Sequence, residues 1–179
     1  MLNLCFFTKE ITFIMVAIQK DAESQIIDKQ KIVDFDVVEF TIEWVVSKYL
    51  TGIDEEENEI YIPAYQRKFV WNKERQSKFI ESLLLGLPSS PMFTADIGDG
   101  RLEIIDGSQR LRTLVDFVKG KLRLKNLEIL TELNGFDFND LTKSRQRKFN
   151  NTSIRIVRLT DKSDAEVRFI LHKRLNNTP

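Results

Sequence analysis

Two short polar runs carry the residue types that phosphate chemistry needs. The longer is Ile104-Ile105-Asp106-Gly107-Ser108-Gln109-Arg110-Leu111-Arg112-Thr113-Leu114. It reads as a strand, a tight turn and a helix start. Gly107 lets the backbone bend and lets a ligand come close. The first N–H groups of a helix lack intrahelical acceptors and sit at the positive end of the dipole, so they favour an anion. Arg110 adds a charge-assisted phosphate contact, and Asp106 can hold Mg²⁺ beside the phosphates. The competing reading is a plain strand–turn–helix, with Asp106 or Ser108 as N-cap and Arg110 on the surface. The second run is Ile62-Pro63-Ala64-Tyr65-Gln66-Arg67-Lys68-Phe69-Val70-Trp71. There Gln66 and Arg67 offer an amide and a planar guanidinium fork, which suit phosphate or, equally, an Arg–carboxylate pair tying down a loop.

Elements that can position these runs are legible around them. Thr41 caps a helix with Ile42, Val45, Val46, Tyr49 and Leu50 on one face. A short strand is expected over Ile60 to Ile62, ended by Pro63. Asn72 caps a helix with Phe79, Ile80, Leu83 and Leu84 inward and Gly86 at its C′ position. Strands over Met92 to Ile97 and Arg101 to Ile105 flank the turn Gly98-Asp99-Gly100. The helix after Gly107 runs from about Ser108 to Val118. Beyond it come a short helical piece near Leu127–Leu133, a turn at Asn134-Gly135, a helix near Thr142–Asn150 and a strand around Ile154–Val157. A last helix to about Leu175 follows a Ser163/Glu166 capping box. Helices mixed with strands and a hairpin make the class α+β.

Composition narrows the chemistry further. One cysteine, Cys5, excludes an intrachain disulfide and leaves no Cys-based zinc site. The net charge of zero hides an asymmetry: residues 1–60 carry 5 Lys/Arg and 13 Asp/Glu, residues 61–179 carry 22 and 14. The positive larger part suits a polyanion, although a mixed, solvated surface gives the same balance. Met1 to Ile18 is apolar but broken by Lys9 and Glu10, too short to span a bilayer and without a basic leader, so no membrane role and a cytoplasmic location are expected. Met15 is an alternative start. His172, the only histidine, reads as a helix-surface or packing residue. Lys143–Lys148 is a basic helix, read as a solvated face before a nucleic-acid contact. Glu81, on the helix before the second polar run, is a candidate second metal ligand.

With these residues in view, the region from Tyr61 to Asn176 resembles the amino-terminal domain of GmrSD-type restriction proteins (domain-of-unknown-function family 262), in the ParB/sulfiredoxin-like group. Gln66-Arg67 matches the family's first motif. Asp106-Gly107-Ser108-Gln109-Arg110 matches its second, usually Asp-Gly-Gln-Gln-Arg, with Ser108 in place of Gln. Arg174-Leu175-Asn176 matches the end of its last helix. The resemblance implies a small mixed sheet with flanking helices that binds a nucleoside triphosphate with Mg²⁺, with hydrolysis left open. It implies Asp106 and Gln109 at the chemistry, Gln66, Arg67, Gly107, Ser108, Arg110 and Asn176 around the phosphates, and Asp106 with Glu81 toward the metal. The family serves defence against phage DNA carrying modifications, so DNA, a carboxy-terminal effector domain and a second copy of the chain are the implied partners. Cutting by this portion alone is not expected. The alternative is a ParB-like DNA-binding regulator without hydrolysis. On this reading residues 1–40 are a leader and 41–179 the nucleotide-binding domain, continuing into the effector.

Overall fold

The computed structural model describes residues 2–30, 33–66, 68 and 70–176. The chain divides into two units, residues 1–32 and 33–179. The first is built on one long helix, α1 (Leu2–Lys29). No helix among the described residues is long and apolar enough to cross a membrane.

The second unit is α+β. Its elements are β1 (Phe35–Thr41), α2 (Ile42–Leu50), β2 (Ile60–Tyr61), α3 (Lys73–Leu84), β3 (Met92–Asp96), β4 (Leu102–Asp106), α4 (Ser108–Val118), α5 (Lys143–Asn150), β5 (Ser153–Leu159) and α6 (Ala165–Asn176). The five strands form one mixed sheet in the order β1-β5-β3-β4-β2. β1 runs antiparallel to β5, β5 parallel to β3, β3 antiparallel to β4, and β4 parallel to β2.

Strand alternation divides the apolar residues between the two faces. Met92, Leu102, Ile104, Ile154 and Ile156 point into the main core, which α2, α3 and α4 close with Val45, Ile80, Leu111 and Leu114. Phe117, Phe138 and Phe149 meet there edge to face. Ala95, Ile105 and Leu159 point the other way and pack under Val167 and Leu171 of α6.

The caps behave as their chemistry dictates. Thr41 accepts from the Trp44 N–H at 3.2 Å, and Asn72 from that of Arg75 at 2.9 Å. Gly86 ends α3 at φ +75°, and the Leu87 N–H returns to the Ser82 carbonyl at 2.9 Å. That left-handed turn is the one glycine makes without strain. One expected cap differs. The Ser163 hydroxyl bonds the backbone of Asp34 beside β1, and the Asp164 carboxylate takes the Glu166 N–H instead. Tying the chain end of β5 to the start of β1 outweighs the local box.

Candidate functional site

Both polar runs meet at the carboxyl end of β4. The structure forms a cleft of about 740 Å³ there, lined by Gln66 and Lys68 from one run and by Asp106 to Arg110 from the other. Trp71, which ends the first run, also lines the cleft, and the remaining wall includes Arg75 in the first turn of α3, Ser90 before β3, and His172 and Leu175 of α6. Arg67 lies outside the described residues. So does the side chain of Asn176, which closes α6 next to Leu175.

The two glutamines staple the runs together. The Gln66 amide donates to the carbonyls of Ile104 and Ile105, at 3.0 and 2.9 Å, and so hangs its loop on the last turn of β4. Gln109 does the converse. Its carbonyl oxygen accepts from the N–H groups of Val70 and Trp71, at 2.8 and 3.2 Å, and its amide donates to the Lys68 carbonyl at 2.9 Å. Gln109 was expected at the chemistry, but its amide is committed to the 68–71 backbone. It shapes the cleft wall.

Arg110 is likewise engaged. It bonds the Asp106 carboxylate, four residues back at the end of β4, at 2.6 Å and donates to the Ser90 carbonyl. Its side chain is only 12% exposed. Burial pulls its basicity down and the Asp106 carboxylate holds it up, with burial the larger. Arg110 therefore closes the segment before β3 onto the helix start and is not the free surface cation that its helical position suggested.

Helix α4 begins at Gly107, φ +107°, with no side-chain cap. Its first intrahelical bond is from Leu111 N–H to the Gly107 carbonyl at 2.9 Å. The N–H groups of Ser108, Gln109 and Arg110 thus precede the hydrogen-bonded ladder, at the positive end of the helix dipole. Ser108 is buried at this start. An ideal Cβ on Gly107 would fall 2.8 Å from Met92 Cγ. The glycine accordingly serves a close packing contact with Met92 as well as the turn. Gly107→Ala is expected to destabilise the fold by about 2 kcal/mol, from left-handed strain of about 1–2 kcal/mol plus the clash. A urea melt that shows no change in midpoint contradicts this.

Glu81, expected as a metal ligand, is not brought to this cleft. Its buried carboxylate accepts from the N–H groups of Glu128, Ile129 and Leu130, at 3.3, 2.8 and 2.7 Å. It holds the 128–130 turn against α3. Asp106 is the acidic group among the described cleft residues, and magnesium arriving with a triphosphate is commonly held by one or two carboxylates. Asp106 fits that part through a carboxylate it shares with Arg110.

Residues whose part in the site the sequence did not single out are Lys68, Arg75, Tyr65 and His172. The Arg75 guanidinium lies 4.7 Å from the Trp71 ring centroid, and Trp71 meets Phe79 edge-on at 5.7 Å. Tyr65 meets His172 edge-on at 5.1 Å. The hydroxyls of Tyr61 and Tyr65 both donate to Glu103, at 2.7 and 3.1 Å. Burial, then Glu103, pushes both phenols up. Of these Tyr65 and Lys68 had a local signal, their place inside the first polar run.

A small mixed sheet with helices on both faces and a motif-lined cleft at one strand end defines an α+β domain. Residues 46–178 match the model of the GmrSD restriction endonuclease, N-terminal domain, and the chain belongs to that family. No curated protein and no solved structure matched the chain.

Proposed function

We propose that this domain is the nucleotide-binding sensor of a modification-dependent DNA restriction protein, with a ParB-like fold. The observation that carries the reading is the uncapped start of α4, opening with Lys68 and Arg75 on a cleft of about 740 Å³. A helix start with basic neighbours favours the phosphates of a nucleoside triphosphate. Trp71 and Tyr65 offer ring faces for the base. Mg²⁺, held in part by Asp106, would supply charge neutralisation of the phosphates. The chain's own residues do the rest. The N–H groups at 108–110 orient the phosphates, Gln66 and Gln109 keep the two walls in register, and the Arg110–Asp106 pair fixes the helix start. The commitment of Gln109 to the 68–71 backbone favours binding and switching over hydrolysis. DNA recognition and any cutting are assigned to the rest of the protein.

The test is thermal melting with ATP, CTP, GTP or UTP, with and without Mg²⁺. A nucleotide at 100 times its Kd adds about 2.7 kcal/mol, or roughly 5–10 °C in a domain of this size. Lys68→Ala, at an exposed position, is expected to cut that affinity about tenfold and leave the unliganded Tm unchanged. If none of the four nucleotides moves the Tm, the sensor reading fails. If Lys68→Ala binds as the unaltered chain does, the assignment to this cleft fails.

A further inference from the structure

Arg110 and Arg112 lie two residues apart on α4, which places them on roughly opposite sides of the helix. Arg110 faces the cleft described above, whereas Arg112 lines a different cavity of about 530 Å³ that shares no lining residue with it. The Arg112 Nε is shut off from solvent and meets no hydrogen-bond partner among the described residues. Nearly all buried polar atoms in folded proteins have a partner, and a buried N–H without one costs about 1–3 kcal/mol.

The cavity around it has one apolar wall, with Ile53, Ile62 and Pro63, and several polar groups. Arg101 forms one side. Its Nε bonds Asp99 at 2.7 Å, its Nη1 donates to the Glu56 carbonyl at 3.1 Å, and its guanidinium lies 5.3 Å from the Tyr61 ring centroid. Those contacts fix where its charge sits. Tyr49 and Asn58 line the same space, and the Asn58 amide is anchored on the carbonyls of Tyr49 and Ile60. Two guanidinium groups thus share the cavity with one acidic side chain, Glu56. Guanidinium forks match the oxygens of a phosphate group, and the volume exceeds that of the bare ion.

We propose that this cavity is a second oxyanion site, which takes the phosphate group of a small phosphorylated molecule, with Arg112 as its central cation. Binding turns the Arg112 side chain, whose Nε is otherwise closed off from solvent, so that the Nε–H meets a phosphate oxygen. Arg101, already held by Asp99, supplies the second charge. The site is separate from the nucleotide cleft and does not depend on the function assigned to it.

The probe is inorganic phosphate, titrated at constant ionic strength against chloride and followed by the arginine Nε–H signals in ¹H–¹⁵N NMR. Arg112→Lys keeps the charge and lacks the Nε–H, so the signal it loses identifies Arg112. The expected result is a saturable shift of that signal with phosphate and none with chloride. Phosphate affinity, read from the backbone signals around Tyr61, should fall about tenfold in Arg112→Met and in Arg101→Gln. It should be unchanged in Lys68→Ala, whatever the nucleotide melts show. A linear drift equal to that of chloride overturns the proposal. So does equal phosphate affinity in Arg112→Met, provided its Tm shows that it is folded.

Discussion

Arg110→Ala melts at a temperature roughly 5–10 °C below the unaltered chain, with or without nucleotide. The expectation rests on where the guanidinium sits. It is nearly enclosed, with a charged partner at 2.6 Å and a backbone carbonyl as its second acceptor. Removing one member of a fully buried pair costs about 3–5 kcal/mol, because the other is left as an uncompensated buried charge. The Asp106 side chain is 29% exposed, so water screens part of that and about 2–3 kcal/mol remains. A domain of this size loses about 2–4 °C per kcal/mol. Asp106→Asn keeps a hydrogen-bond acceptor for Arg110, and its fall is expected to be smaller. Nucleotide affinity falls as well in Arg110→Ala, because the segment carrying Ser90 loses its tie to the helix start. Lys68→Ala separates the two effects, since it lowers affinity alone. A Tm within a degree of the unaltered chain in Arg110→Ala would show that the pair contributes nothing and that Arg110 is free for a ligand.

The contrast between Arg110 and Gly107 shows what was legible in the sequence. Gly107, the strand before it and the helix after it follow from local chemistry: an apolar run, a residue suited to the turn, then Leu111 and Leu114 at helical spacing. The start and end of α4 came out where that pattern put them. Thr41, Asn72 and Gly86 were equally local. The fate of Arg110 was not. It stands away from Leu111 and Leu114 on a helical projection, which suggests solvent, but the segment before β3 folds over it and Ser90 accepts from it. Nothing in the α4 sequence shows that segment arriving. Gln109 and Glu81 are similar cases, since both took up backbone groups about forty residues or more away in sequence. Polar residues read as reactive were recruited to satisfy backbone N–H groups of distant segments, which a fold must do somewhere.

Strand β1 was missed for a different reason. Phe35-Asp36-Val37-Val38-Glu39-Phe40 has apolar residues on both faces, so it shows no clean alternation. Val38 and Phe40 pack on the main core, whereas Phe35 and Val37 stay exposed. Its partner, β5, lies more than a hundred residues away and pairs with it from Phe35–Leu159 to Thr41–Ser153. Ion pairs between Asp36 and Arg158, and between Glu39 and Arg155, fix the register across the two strands. Residues that looked like leader thus supply the sheet edge.

Glu81→Ala is expected to be the most damaging single change among these residues. Its carboxylate gathers three N–H groups from the 128–130 turn, two of them within 2.8 Å. Hydrogen bonds to a charged acceptor contribute about 1.5–3 kcal/mol each, and those sharing one acceptor are not additive. A loss of about 4 kcal/mol is expected, or roughly 8–16 °C in Tm. Glu81→Gln keeps the shape and one acceptor oxygen and should lose about half as much. The charge also sets a pH dependence. Burial raises the Glu81 carboxyl, but the N–H groups of Leu130, Ile129 and Glu128, with Lys78 beside them, outweigh it and hold it below its ordinary value. A carboxyl depressed in the folded state stabilises fully above its unfolded value, about 4.3, and the contribution is lost as pH falls through the lower folded value. The unaltered chain should therefore lose stability below about pH 4. Glu81→Gln has no such charge to lose, so the stability gap between the two should narrow as the pH is lowered. Urea melts between neutral pH and pH 3 measure that gap directly. A gap that stays constant over the whole range would mean that the Glu81 charge contributes nothing beyond the shape of its side chain.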